Sequence, residues 1–194
     1  MPDATLPGAI GAPWIPGYPI TQAWWLGSMD PFKEPPTLLI WHSGATKDDV
    51  AKYLANPVEK ETNTLRDLRQ SGERKGPKGL WLCHDGKYRR QVGTHFASST
   101  RNGDYHAMVD LHTAAWGVAG YNARAIHIEA PAHHGPDLDR QSRALVAALV
   151  QVVPSLREWT CHRWIQGNRR DPLCWSNSEV RGLMLGMGLG ELGG

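Results

Sequence analysis

His162 and Asp171 stand nine residues apart in the segment Thr160-Cys161-His162-Arg163-Trp164-Ile165-Gln166-Gly167-Asn168-Arg169-Arg170-Asp171-Pro172. Two arginines directly precede the aspartate, and the approach through Trp159 and Cys161 is apolar, while the stretch between is rich in turn formers. That spacing suits two ligands converging on one metal across a loop. A set of imidazole and carboxylate favours zinc, and three protein ligands would leave a fourth position for water. A third candidate lies far upstream. Thr37-Leu38-Leu39-Ile40-Trp41-His42 is a short apolar run ending in a histidine, which reads as a buried strand delivering an imidazole at its C-terminal end. Taken singly, each residue has an ordinary explanation. The chain holds nine histidines, and a histidine is more often a surface or hydrogen-bonded core residue than a ligand. The pair His162 and Asp171 is also a looser pattern than HExxH or paired CxxC motifs.

Four blocks taken together are more specific. They are Leu39-Ile40-Trp41-His42-Ser43-Gly44-Ala45-Thr46; Thr94-His95-Phe96 with Arg101-Asn102-Gly103; Ala115-Trp116-Gly117 to Asn122 with Ile126-His127-Ile128-Glu129; and Cys161-His162 through Arg169-Arg170-Asp171-Pro172. In this order and spacing, over roughly residues 38–175, the sequence resembles the zinc-dependent type 2 N-acetylmuramoyl-L-alanine amidases. That family includes phage amidase endolysins, cytoplasmic muropeptide amidases and peptidoglycan recognition proteins. The resemblance implies an α/β fold, a single domain with a mixed central sheet flanked by helices and a zinc cleft at one sheet face. It implies Zn2+ held by His42, His162 and Asp171. Some relatives use cysteine as the third ligand, which makes Cys174, three residues beyond Asp171, the competitor.

The other roles follow the same resemblance. Glu129 matches the acidic residue near the metal and is expected to be the acid-base group. Arg169 stands two residues before Asp171, where hydrolytic members often carry lysine, and is expected to stabilise developing negative charge. Trp116, Asn122 and His95 are expected to line the substrate cleft; His127, sharing a face with Glu129, is expected either to line it as well or to be a buried hydrogen-bonded histidine. Three positions depart from the family pattern. Thr94 stands where an aromatic hydroxyl is common, Gly117 where a histidine is usual, and His127 where relatives generally have glycine. The implied reaction is hydrolysis of the amide between N-acetylmuramic acid and L-alanine in peptidoglycan, as in a phage-type endolysin. Two alternatives share the fold: a non-catalytic peptidoglycan-binding module, and a cytoplasmic amidase that recycles muropeptides.

Bulk properties agree with a single soluble globular domain. The 194 residues are 41% hydrophobic and 21% charged, enough for one substantial core. A formal net charge of +2 is too mild to imply nucleic acid and fits approach to an anionic wall polymer. Cys83, Cys161 and Cys174 form no CxxC and are read as reduced thiols. No apolar stretch approaches the roughly 20 residues of a membrane span. Residues 1–32 carry no Lys or Arg and are broken by prolines, so no secretory signal is expected. Synthesis in the cytoplasm, holin-dependent access to the wall, no membrane insertion and a monomeric state are the corresponding expectations.

The elements that must position these residues are legible from periodicity. Residues 1–36, dense in Pro and Gly but carrying Trp14, Trp24 and Trp25, are expected to form an irregular arm packed on a domain spanning 37–185. A strand over 38–42 puts Leu38, Ile40 and His42 on one face. A helix is expected to start at Thr46 with Asp48 and Asp49, carry Val50, Tyr53 and Leu54, and stop at Asn56-Pro57. A charged loop follows, with a short helical piece near Leu65 and Leu68. A hairpin is expected over 80–88 with Asp85-Gly86 at its turn and His84 beside it, then strands over 94–103 and 104–111 joined at Asn102-Gly103. In the strand ending at Glu129, His127 and Glu129 face one way and Ile126 and Ile128 the other. Asp137 or Asp139 should cap a helix over 140–153, a strand over 158–162 should deliver His162, and Ser176 or Asn177 should open a last helix. Residues 186–194, rich in glycine, are expected to be a flexible tail.

Overall fold

A computed structural model describes residues 12–21, 31–43, 47–55, 62–73, 75–76, 80–82, 88–90, 93–115 and 117–193. The expected helix start at Thr46 and stop at Asn56-Pro57, the turn at His84-Asp85-Gly86, Cys83, Trp24, Trp25 and Trp116 lie outside these residues.

The centre is a six-stranded sheet. Its first strand, β1 (Leu38–Ser43), is followed by helices α1 (Val50–Ala55) and α2 (Asn63–Gln70), then by β2 (Leu80–Leu82) and β3 (Tyr88–Arg90), which form a separate two-stranded sheet. The chain returns to the main sheet through β4 (Phe96–Ser98), β5 (Tyr105–Ala107) and β6 (Ala125–Ala130), crosses by α3 (Leu138–Val152) to β7 (Glu158–Cys161), and ends through α4 (His162–Ile165), α5 (Asn177–Met184) and β8 (Gly190–Glu191). The strand order is β5-β4-β6-β1-β7-β8. Only the β4–β5 pairing is antiparallel within it, so the sheet is mixed, as the resemblance implies. Parallel strands need both faces covered and read as continuous apolar runs; β1 is buried at every residue.

Alternation along the strands divides the core. Leu39, Trp41, Ile126 and Ile128 point to the face covered by α3 and α5, where Leu138, Leu145, Val146 and Leu149 meet Val180, Leu183 and Met184. The buried residues of α3 recur at spacings of three and four, the period of one helix face. Trp41 is fully buried, with Trp175 edge-on at 5.1 Å and its indole N–H donating to the Met184 sulfur at 3.3 Å. Leu38, Ile40 and Ala125 point the other way and pack on Val118. That second face also carries His42 of β1 and His127 and Glu129 of β6.

Element ends follow local chemistry. α5 begins with a capping box, the Ser176 hydroxyl accepting from the Glu179 amide and the Glu179 carboxylate accepting from the Ser176 amide. α3 starts two residues earlier than expected; Asp137 occupies its cap position but its carboxylate accepts from Arg140 instead of from the helix amides. The turn between β4 and β5 holds Gly103 at φ +82°, a conformation open to glycine. The strands flanking it are three residues each, shorter than the alternation suggested.

Residues 12–21 pack on the sheet: Ile15 is buried, Tyr18 lies edge-on to Phe96 at 5.8 Å, and the Thr21 amide donates to the Ala107 carbonyl at 2.8 Å. The glycine-rich end departs from the expectation of a flexible tail. β8 runs parallel to β7, with the Gly190 amide on the Arg157 carbonyl at 2.8 Å and the Leu192 amide on the Trp159 carbonyl at 2.9 Å. Glycines there permit the turns at Gly186 and Gly188, both at positive φ, that bring the chain back to an open sheet edge. Among the described residues no helix is long and apolar enough to cross a membrane.

Candidate metal centre

Two adjacent parallel strands end at the same edge of the sheet, and each delivers a histidine there. His42 is the fifth residue of β1, and His162 follows β7 directly as the first residue of α4. The third group arrives on the loop after α4. The Arg163 amide donates to the Asp171 carbonyl at 2.9 Å, and the Leu173 amide donates to the Ser43 hydroxyl at 2.8 Å, so this loop is fastened to both α4 and the end of β1. The Arg163 guanidinium adds bonds to the carbonyls of Pro172 and Trp175. The Asp171-Pro172 peptide is cis.

Within this frame Nδ1 of His42 lies 3.1 Å from Nδ1 of His162, and Oδ2 of Asp171 lies 2.9 Å from Nδ1 of His162 and 3.6 Å from Nδ1 of His42. Donors held at about 2.0–2.1 Å around a tetrahedral ion stand roughly 3.3 Å apart. The three separations bracket that edge length, so the donor set fits a zinc-sized ion. Both imidazoles are held from behind. The Nε2–H of His162 donates to Oε1 of Gln166 at 2.9 Å, and Nε2 of His42 meets Nδ1 of His127 at 3.0 Å. Each ring therefore turns Nδ1 toward the other ligands, as outer partners of metal-bound histidines do. Gln166 was not singled out from sequence; its position four residues after His162, on the same helical face, is the signal that could have found it.

Electrostatics favour a deprotonated His42 and Asp171. Burial lowers the affinity of His42 for a proton, and the nearby charges of His162 and Arg169 act in the same direction against the raising effect of Asp171. Burial alone would raise the Asp171 carboxyl, but hydrogen bonds from His162 and His42 outweigh it and hold the group well below the usual carboxylate range. Glu129 lies opposite His42 in the β1–β6 register and is partly buried. Burial first, and then the Asp171 charge, push its carboxyl up to about 8.

The remaining sequence-derived residues fall in different places. Arg169 is exposed on the loop between the ligands, its amide closing a turn onto the Gln166 carbonyl at 2.9 Å. Asn122 is partly buried, and its Oδ1 accepts from the Val118 amide at 2.7 Å. His95 is fully buried: its Nδ1 accepts from the His127 amide at 3.0 Å and its Nε2–H donates to the Thr113 carbonyl at 3.0 Å. His127 is equally buried, its ring stacked parallel to that of His95 with centroids 6.1 Å apart. Thr94 donates its hydroxyl to the carbonyls of Phe96 and His127. Cys174 and Cys161 are free and buried in the apolar core, and burial pushes the Cys161 thiol up to about 12. Among the described residues, the only such grouping of possible ligand atoms is that of His42, His162 and Asp171.

No family model matches this sequence, and no curated protein sequence does. Solved structures match over most of the chain. The N-acetylmuramoyl-L-alanine amidase endolysin LysCS from Clostridium intestinale URNW is 14% identical, with a TM-score of 0.55, covering 91% of this chain and 99% of that one. A selenomethionine derivative of AmpD is 20% identical, with a TM-score of 0.56, covering 92% and 99%. The amidase LysC from the same Clostridium is 14% identical, with a TM-score of 0.51, covering 88% and 97%. At these identities the likeness is one of fold, and the fold of this chain is that of the type 2 N-acetylmuramoyl-L-alanine amidases.

Proposed function

We propose that this protein is a zinc-dependent N-acetylmuramoyl-L-alanine amidase of the endolysin kind, acting on peptidoglycan. The observation that carries the proposal is the convergence of His42, His162 and Asp171 at donor separations of 2.9–3.6 Å, beside a carboxyl group on the same sheet edge. Zinc held by these residues would supply Lewis acidity for the amide carbonyl and would acidify a water molecule.

The chain's own residues supply the rest. Glu129, flanking His42, takes a proton from the attacking water and passes it to the leaving amine of L-alanine, so that water plus amide becomes muramic acid carboxyl plus a free stem peptide. A carboxyl group whose affinity for protons is raised toward neutrality suits both directions of that transfer. Arg169, exposed on the ligand loop, supplies positive charge for the tetrahedral oxyanion. Trp116 and Asn122 precede β6 in the sequence and are the proposed substrate-binding residues there.

The test is mass spectrometry of soluble products after incubation of the purified protein with peptidoglycan, with and without a zinc chelator. Stem peptides with free N-terminal L-alanine, absent when chelator is present, are the expected result. Sedimentation with the wall without any released peptide would replace the amidase with a wall-binding module.

A further inference from the structure

His127 is a buried histidine with no part in the hydrolysis proposed above. Its Nδ1 lies 3.0 Å from Nε2 of His42, and the two ring centroids are 5.2 Å apart. Its ring is clasped in a column of aromatic side chains: His127 stacks on His95, and His95 stacks on Phe32 at 5.9 Å, each pair within 8° of parallel. Its backbone is fixed from both sides, the amide donating to Nδ1 of His95 and the carbonyl accepting from the amide of His95 and the hydroxyl of Thr94. The space for the ring is reserved by Gly117. A Cβ at that position would stand 2.1 Å from Nδ1 and 2.4 Å from Cε1 of His127, closer than any real contact.

We propose that His127 is a positioning residue for the metal centre: its Nδ1 accepts the Nε2–H of His42 and so holds the His42 ring with Nδ1 turned to His162 and Asp171, in a slot that exists because residue 117 has no side chain. The inference rests on the metal reading above. Once Nδ1 of His42 carries a metal, the ring's remaining proton must sit on Nε2. The only group hydrogen-bonded to that nitrogen among the described residues is Nδ1 of His127, which must then be the acceptor. The His127 proton is thereby assigned to Nε2, an atom that is buried and has no hydrogen-bond partner. An unpaired buried donor costs stability, and here it accompanies the orientation of a ligand. A ring kept only for packing would have no need to match a nitrogen to Nε2 of His42.

The experiment is competition for zinc between a chromophoric chelator and the full-length protein, in the parent and in four variants. His127→Phe keeps a ring and removes the acceptor; His127→Asn keeps an acceptor near the Nδ1 position. Gly117→Ala crowds the ring without touching its chemistry, and the double variant combines Gly117→Ala with His127→Asn. His127→Phe and Gly117→Ala are expected to weaken zinc binding about 10–100-fold, the range for outer partners of metal ligands. His127→Asn should stay within about threefold of the parent, and Gly117→Ala should cost little more in the His127→Asn background. Equal weakening by His127→Phe and His127→Asn would reduce the residue to packing, as would no weakening by either. Nitrogen-15 imidazole spectra of the zinc-loaded parent provide a second readout that needs no variant. They should show His127 protonated on Nε2, and a proton on Nδ1 would overturn the proposal. If the parent itself takes no zinc, the metal reading falls and this inference with it, an outcome distinct from unequal or absent effects of the variants.

Discussion

His42 and Glu129 are direct partners across the parallel pair of β1 and β6. Parallel neighbours lie about 4.8 Å apart and residues in register share a face, so an imidazole and a carboxyl group leave the sheet side by side at the same edge. The relationship depends on register alone. A slip of one residue in either strand would send its member of the pair into the apolar layer under α3, where Trp41 and Ile128 now sit.

Because the two are neighbours with separate tasks, they should separate by mutation. Glu129→Gln is nearly isosteric and leaves all three ligand atoms in place. It should lower kcat by about 10²–10⁴ while zinc affinity stays within a few-fold of the parent. Steady-state release of stem peptide and chelator competition on the same preparation check both halves. Parent-like turnover in the variant would remove Glu129 from proton transfer.

Asp171 and Cys174 make opposite predictions as third ligand. Asp171 lies 2.9 Å from Nδ1 of His162, whereas Cys174 belongs to the apolar cluster with Trp175 and Met184. Asp171→Ala, like His42→Ala and His162→Ala, should abolish measurable zinc binding and activity. Cys174→Ala should leave the zinc stoichiometry at the parent value and cost about 1 kcal/mol of stability from a small core void. Metal analysis after dialysis distinguishes them, and loss of zinc only in the Cys174 variant would reverse the assignment.

Without metal, Glu129 should be a liability at high pH. Its carboxyl is raised from an ordinary 4.5 to about 8 by burial and by the Asp171 charge. The folded chain thus holds this proton at pH values where the unfolded chain has released it, and its contribution is fully present below about pH 4.5 and lost as pH rises through about 8. Glu129→Gln removes that dependence. In chelator, the variant should therefore gain stability relative to the parent as pH rises from 5 to 8.5, by on the order of 1–3 kcal/mol. Urea denaturation at several pH values reads the difference; a variant that gains nothing on the parent, or loses ground to it, as pH rises would contradict the environment assigned to Glu129.

The strand that ends in His42 was legible because Leu38 to Trp41 is an unbroken apolar run, and α3 because Leu145, Leu149 and Val152 keep a helical period. The convergence of His162 and Asp171 was suggested by their spacing and made specific by resemblance to a family, since a histidine and an aspartate nine residues apart constrain little by themselves. What the sequence could not yield was how side chains share volume. Gly117 and His127 looked like two unrelated departures from the family pattern. They are one: the His127 ring occupies the space in which a Cβ at residue 117 would lie. Alternation correctly put His127 on the face of Glu129, yet it carries no information on whether that face is open or covered, and here Gly117 and the His95 ring lie against His127. The end of the chain misled for a related reason. Glycine content reads as flexibility, but Gly190 and Glu191 find an unpaired edge on β7, and Arg181 fastens Glu191 with two hydrogen bonds of 2.8 Å.

His95 should make the fold sensitive to mild acid. Burial lowers its ring from an ordinary 6.5 to about 4, with the Thr113 carbonyl and the Asp110 charge offsetting only part of the effect. The unfolded chain takes up this proton near pH 6.5, and the folded chain does so only near pH 4. The stability that comes with a neutral, doubly hydrogen-bonded ring is therefore intact above about 6.5 and drains away as pH falls toward 4, an interval equivalent to about 3 kcal/mol. His95→Asn retains an acceptor for the His127 amide and does not titrate. In chelator at pH 7.5 the parent should be the more stable by about 1–3 kcal/mol, from the lost stacking on Phe32 and the lost bond to Thr113. That advantage should shrink through pH 6 and 5 and vanish or reverse by pH 4.5. The Glu129 contribution is common to both proteins and cancels in the comparison. An advantage that stays constant from pH 7.5 to 4.5 would mean that the His95 ring carries its proton in the folded state, and that the donor assigned to Thr113 and the acceptor assigned to the His127 amide are not both real.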